Sequence, residues 1–305
     1  MAGRTVIVTD STASLPADVA AARGIVVVPL QVVIGATVYD EGADGATPEL
    51  VAEALKAFKP VSTSRPAPAA LLEVYEKAAA DGADAIVSIH LSGEMSGTFE
   101  SAQLAARDAS VPVLVVDSRQ VGVATGYAAL SAADVLDTGG SPEDAAAAAR
   151  ERAAASTALF YVDTLEYLRR GGRIGAAAAL LGGALAVKPL LTITDGKVAN
   201  LERVRTSARA LSRLEDLAAE AAGSDQVDLC VAHLASPDRA GALAERLGAR
   251  LAANLGGRAV WCGELGAVLG AHVGPGMVAV CVAPLLGEVV VPEPADRPQG
   301  LQPDD

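Results

Sequence analysis

Apolar residues in the first half of the chain fall into short β-branched runs separated by longer Ala-rich stretches. Short apolar runs bounded by turn residues predict strands, and the longer stretches predict helices. Strands are expected at Thr5–Val8, Val26–Val28, Gln31–Ile34, Ala85–Ile89 and Val113–Val116. Helices are expected at Pro16–Ala22, Glu49–Phe58, Pro68–Ala80, Thr98–Arg107, Tyr127–Leu136 and Pro142–Ala154. Such alternation predicts an α/β fold with a parallel sheet and helices on both faces. Ligands in these sheets sit beyond the carboxyl ends of the strands.

After about Thr157 the pattern changes. A strand is expected at Leu159–Val162 and a short helix at Leu165–Arg170, ending at Gly171-Gly172. Ala176–Leu185 reads as small-residue helix or loop, while Leu190–Thr194 and Val198–Val204 flank Asp195-Gly196, a hairpin-turn pair. Helix Ser207–Ala222, strand Val227–His233, helix Pro237–Ala253 and strands Arg258–Cys262 and Met277–Val282 follow, predicting a mixed sheet covered on one face. Two domains are expected, residues 1–157 and 158–288, with residues 289–305 a disordered tail.

Composition narrows the function. Hydrophobic residues make up 51% of the 305 and charged residues 20%, a globular balance. Aromatics are only 3%, so there are few platforms for stacking bases or sugars, and a net charge of −13 disfavours nucleic acid and anionic membranes. Cys230, Cys262 and Cys281 lie far apart in apolar runs and read as buried small hydrophobes rather than a disulfide or metal set. The amino-terminal residues lack the apolar core of a signal peptide, and no apolar run reaches membrane-spanning length, so a soluble, cytoplasmic protein is expected.

Three polar clusters close predicted strands: Thr9-Asp10-Ser11-Thr12, Ser62-Thr63-Ser64-Arg65-Pro66 and Leu91-Ser92-Gly93-Glu94-Met95-Ser96-Gly97-Thr98. In the last, Ser96 or Thr98 would cap the following helix and Gly97 permits close approach, so free N–H groups there suit an anionic oxygen group. Each cluster alone also reads as ordinary capping and turn chemistry. His272 sits in an apolar strand-to-turn run before Gly274-Pro275-Gly276, with a satisfied core histidine as the alternative. His90 and His233 are weaker candidates.

The segments Val8–Thr12, Thr63–Pro66, Leu91–Thr98, Asp117-Ser118, Leu168-Arg169-Arg170-Gly171-Gly172-Arg173-Ile174, Lys188-Pro189-Leu190 and His272–Gly276 resemble, in order, the motifs of the DegV family. The resemblance implies two domains with a long-chain fatty acid, such as palmitate, between them and no cofactor or metal. It further implies a carrier of the FakB type, which presents the acid to a separate fatty acid kinase. The family's head-group contacts would fall on Thr63, Ser96 with Gly97, and His272; Ser64, Ser92 and Thr98 are neighbouring candidates on the same motifs. The family usually carries a serine where His90 stands. Arg170, Arg173 and Arg205 would form the kinase-docking surface, the reading favoured over a solvated basic helix end for the Arg169–Arg173 cluster. A sixteen-carbon chain offers about 10 kcal/mol of gross transfer free energy, at about 0.8 kcal/mol per methylene. Small residues at Ala176–Ala179 and Gly182-Gly183 leave room for a tunnel or simply pack closely. The competing reading is a lipid or ester hydrolase using Ser96 as nucleophile and His272 as base, although no Gly-x-Ser-x-Gly elbow surrounds Ser96.

Overall fold

The computed structural model describes residues 3–42, 45–180 and 188–287. The first part of the chain runs β1 (Thr5–Asp10), α1 (Ala17–Ala22), β2 (Ile25–Val28), β3 (Gln31–Ile34), β4 (Thr37–Asp40), α2 (Pro48–Lys56) and β5 (Val61–Ser64). It continues through α3 (Pro68–Ala80), β6 (Ala85–His90), α4 (Thr98–Asp108), β7 (Val113–Asp117), α5 (Val123–Asp137) and α6 (Pro142–Ala155). Four strands, in the order β2-β1-β6-β7, pair in parallel. Ala-rich faces of α5 and α6 pack on one side of this sheet through Ala128, Ala129, Ala132, Ala145 and Ala149. Leu71, Tyr75 and Ala78 of α3, with Ala102 and Ala105 of α4, cover the other. Alanine lets these helices approach closely, which is how a core with few aromatic rings still fills its volume.

A second, three-stranded antiparallel sheet, β4-β3-β5, interrupts the expected alternation. Gln31–Ile34 therefore belongs to a hairpin and not to the parallel sheet. Its partner Thr37–Asp40 is short and largely exposed, so it lacks the apolar run by which strands are recognised. Ser62–Ser64, expected as a loop cluster closing a parallel strand, is itself strand β5.

The second part runs β8 (Thr157–Tyr161), α7 (Glu166–Arg170), β9 (Lys188–Thr194), β10 (Lys197–Val204), α8 (Ser207–Ala222), β11 (Val227–His233) and α9 (Pro237–Arg250). It ends with α10 (Ala252–Leu255), β12 (Trp261–Glu264), α11 (Ala267–Val273) and β13 (Val278–Pro284). Its six strands are ordered β10-β9-β8-β13-β11-β12, antiparallel except for β11 with β12. One face is sealed by α8 and α9 through Leu214, Ala218, Leu243 and Leu247. The β9–β10 hairpin turns at Asp195 (φ 52°) and Gly196 (φ 76°), the two left-handed residues a two-residue hairpin requires.

Three further expectations change. The helix from Pro237 breaks at Leu251, where α10 begins. The strand near Cys262 is shifted to Trp261–Glu264, and because it is an edge strand the Cys262 side is exposed, while Cys230 and Cys281 are buried as expected. His272 lies in the last turn of α11, not in a strand-to-turn segment. The predicted tail, and residues 181–187 of the small-residue stretch, lie outside the described residues.

Candidate functional site

The free face of the six-stranded sheet and the ends of the first part enclose a cavity of about 440 Å³. Strand alternation supplies its sheet wall: Ala158 and Phe160 of β8, Cys230 and Ala232 of β11, Ala279 and Cys281 of β13. Val121 and Val123 approach from the start of α5, Leu91 from the end of β6, and Val268, Leu269 and Val273 from α11. Small residues in the sheet wall leave the space, and apolar ones keep it favourable to an apolar occupant.

The polar lining is gathered at one end. Strand β5 turns Thr63 inward, and its Oγ1 lies 2.8 Å from His272 Nε2. The other ring nitrogen, Nδ1, is buried and has no hydrogen-bond partner among the described residues. Gly171 makes that placement possible, since a Cβ there would collide with Nδ1. Burial, then the nearby positive charge of Arg173, pushes the imidazole pKa down to about 4, so His272 is neutral at ordinary pH. Glu41 accepts a hydrogen bond at 2.7 Å from the Val268 N–H and so caps the helix that carries His272. Burial raises the pKa of that carboxyl. Nothing in sequence distance links Glu41 to Val268, and it was not foreseen.

The turn after β6 supplies the rest. Ser96 and Gly97 line the cavity, and Ser96 Oγ meets Thr98 Oγ1 at 2.9 Å and accepts from the Thr98 N–H at 3.3 Å. The expected cap is not formed: Gly97 is the N-cap of α4, with no side-chain cap, and the Ser96 bond closes the turn just before the helix. Two arginines fasten this turn by its carbonyls. Arg65 Nη1 donates to Gly97 O at 3.0 Å and pairs with Glu100 at 2.9 Å; Arg173 Nε donates to Met95 O at 3.1 Å. Both also line the cavity, so two guanidinium groups flank its polar end. The sequence left Arg65 without a role, and its motif neighbours gave no sign that it would fold over Gly97.

Ser92 and Thr98 are fully buried behind the wall rather than in it. Ser92 Oγ donates to Gly196 O at 2.7 Å, tying the turn to the β9–β10 hairpin, and Lys197 pairs with Glu94 at 2.9 Å beside it. Ser64, next to Thr63, faces outward at the cavity rim, with its hydroxyl 3.3 Å from the Arg65 carbonyl. The first polar cluster is also internal. Asp10 accepts from Thr12 N at 3.1 Å and Leu91 N at 3.2 Å and lies 2.9 Å from His90 Nδ1. His90 Nε2 meets Ser88 Oγ at 2.8 Å, which meets the Tyr75 hydroxyl at 2.7 Å. Ser88, His90 and Asp10 thus have the connectivity of a hydrolytic triad, but all three are 0% exposed and no substrate reaches them. Burial pushes the Tyr75 hydroxyl pKa up to about 12.

Ser96 and His272, paired in the hydrolase reading, are each bonded elsewhere: Ser96 to Thr98 and His272 to Thr63. Arg170 is bound to Glu166 at 2.7 Å, and Arg205 is exposed at the end of β10. Among the described residues no helix is long and apolar enough to cross a membrane.

The chain belongs to the DegV family: residues 4–285 match the family described as uncharacterised protein, DegV family. A DegV domain-containing protein of Streptomyces coelicolor is 52% identical over 93% of this chain and 99% of its own. Protein DegV of Bacillus subtilis is 34% identical over 90% of this chain and 97% of its own. Among solved structures, a DegV family protein from Thermus thermophilus described by its fatty acid binding has 33% identity and a TM-score of 0.85, covering 92% of this chain and all (100%) of that one. DegV from Bacillus subtilis, described as a fatty acid binding protein, has 32% identity and a TM-score of 0.85, covering 93% and 100%.

Proposed function

We propose that this protein binds one long-chain fatty acid, with its chain in the apolar cavity and its carboxylate at the Thr63–His272 end. The observation that carries the reading is the segregation of the cavity: hydrocarbon-like walls along the sheet, and every charged or hydroxylic lining group at one end. Its solved relatives described as fatty acid binding support the class of ligand. The Thr63 hydroxyl donates to the carboxylate while accepting from His272 Nε2–H, which selects the Nε2–H tautomer and leaves Nδ1 as the unpartnered acceptor. The Gly97 N–H and the Ser96 hydroxyl add neutral donors, and Arg65 and Arg173 supply positive potential without a buried countercharge. A neutral imidazole avoids the cost of burying a second ion.

Beyond storage, the protein presents the carboxylate to a fatty acid kinase in the cytoplasm. Exposed Arg170, Arg173 and Arg205 form the docking surface in this reading, and Arg173 links surface to head group because it touches the turn that carries Ser96. Palmitate is the reference ligand.

Native mass spectrometry of freshly purified protein, followed by solvent extraction, tests the first step. A stoichiometric adduct that extracts as a fatty acid is expected; protein that is ligand-free and refuses added fatty acids overturns the reading. Ser96→Ala with His272→Ala is expected to abolish retention with the fold intact. Arg173→Ala is expected to impair transfer to the kinase more than lipid binding, and equal loss of both would make the basic cluster structural.

A further inference from the structure

A second cavity, of about 480 Å³, lies in line with the first. Two elements run through both. On β11, Ala232 and Cys230 line the first cavity and Asp228, the next residue on the same face, lines the second. On α5, Val123 lines the first, and Tyr127, one turn later on the same face, lines the second. The two spaces are therefore consecutive stretches of one trough between α5 and the sheet.

Tyr127 stands at the division. Its side chain packs against the cluster containing Cys230 and Cys281, the last sheet row of the first cavity. From the far side the Arg152 guanidinium covers its ring at 5.6 Å. Arg152 is only 2% exposed and is held in turn by Asp228 and the Pro284 carbonyl, so the ring is braced and not free to swing aside.

We propose that Tyr127 is the stop of the acyl channel and sets the longest chain the protein accepts. The inference rests on the fatty-acid reading: the carboxylate at Thr63–His272 points the methyl end toward the Cys230–Cys281 row, where the ring closes the way. A shorter side chain at 127 opens the first cavity into the second. A larger side chain at Cys281 moves the stop toward the head group.

The test is competitive binding of a ladder of saturated acids, myristate to lignocerate in steps of two carbons, read by native mass spectrometry. Wild type, Tyr127→Val and Cys281→Met are compared, each checked for an unchanged unfolding midpoint before titration. Tyr127→Val is expected to move the optimum at least one rung longer, improving the longer acid over the shorter by about tenfold per rung, as two newly buried methylenes require. Cys281→Met is expected to move it one rung shorter, and it carries the test alone if the Tyr127 variant does not fold. Fatty acid bound by all proteins with superimposable profiles overturns the stop and leaves the fatty-acid reading standing. No uptake of any rung by wild type overturns the reading itself, and the stop with it.

Discussion

Two of the three histidines, His90 and His272, stand in opposite circumstances. His90, the last residue of β6 in the parallel sheet, has both ring nitrogens engaged, Nδ1 with Asp10 at 2.9 Å and Nε2 with Ser88 at 2.8 Å. His272, at the cavity, engages Nε2 with Thr63 at 2.8 Å and leaves Nδ1 buried without a partner among the described residues. A buried polar group normally finds its partners, so the closed network of His90 reads as structure, whereas the one bond of His272 goes to a hydroxyl that lines the cavity. By that criterion the triad-like Ser88–His90–Asp10 chain is a rivet between β1 and β6. Its Asp10 end also holds the Leu91 N–H, and so begins the turn that delivers Ser96 and Gly97 to the cavity.

The sharpest way to break the comparison is to remove the centre of the satisfied network. Asp10→Ala deletes the acceptor of Thr12 N–H, Leu91 N–H and His90 together. The expected cost is about 3–5 kcal/mol in urea unfolding, the range for breaking a buried, hydrogen-bonded carboxylate interaction. A loss below about 1 kcal/mol would mean that water replaces the carboxylate and that the chain is not a rivet.

Next in size is a pH effect at His272. Its pKa is about 4 in the folded protein against 6.5 when unperturbed, so the unfolded chain binds the proton more tightly. The resulting contribution is fully present above pH 6.5 and is lost as pH falls through about 4. Its ceiling is about 3 kcal/mol by the usual free energy per pKa unit. In lipid-free protein, His272→Gln is expected to flatten the stability–pH curve across that window; an unchanged slope would show that the imidazole protonates freely in the fold.

Much of this was legible in the residues, and the limits have physical causes. The parallel strands and their helices were readable because their apolar periodicity repeats, and the Asp195-Gly196 hairpin because only certain residues accept left-handed backbone. The sheet β4-β3-β5 was not, since Thr37–Asp40 is too exposed to carry an apolar signal. In the site, the clusters holding Thr63 and Ser96 were visible at strand ends, and the two residues were picked out by their places in the family's motifs. Sequence order gives no distance, so it could not show that Glu41 caps the helix of His272, or that Arg65 closes over Gly97. Nor could it tell Ser92, consumed by Gly196, from Ser96 four residues on, which keeps its place in the cavity wall.

Smaller effects separate Thr63 from its neighbour. Thr63→Val keeps the shape of the side chain and removes the hydroxyl that joins His272 to the proposed carboxylate. Fatty-acid affinity is expected to fall by about 10- to 100-fold, the worth of one hydrogen bond to a charged group, measured by displacement of a fluorescent fatty acid. Undiminished affinity would separate His272 from the head group.

Ser64→Ala is the matching control and the smallest change. Strand alternation turns this residue away from Thr63, and its hydroxyl reaches only the adjacent Arg65 carbonyl at 3.3 Å, in an exposed position. Loss of that contact is expected to change stability and affinity by less than about 0.5 kcal/mol, as for an ordinary surface site. The pair of substitutions therefore asks whether the alternation of β5 chooses the donor. An equal fall in affinity for both would mean that the edge of the strand swings to present either hydroxyl, and the fixed Thr63–His272 pair would no longer account for how the head group is held.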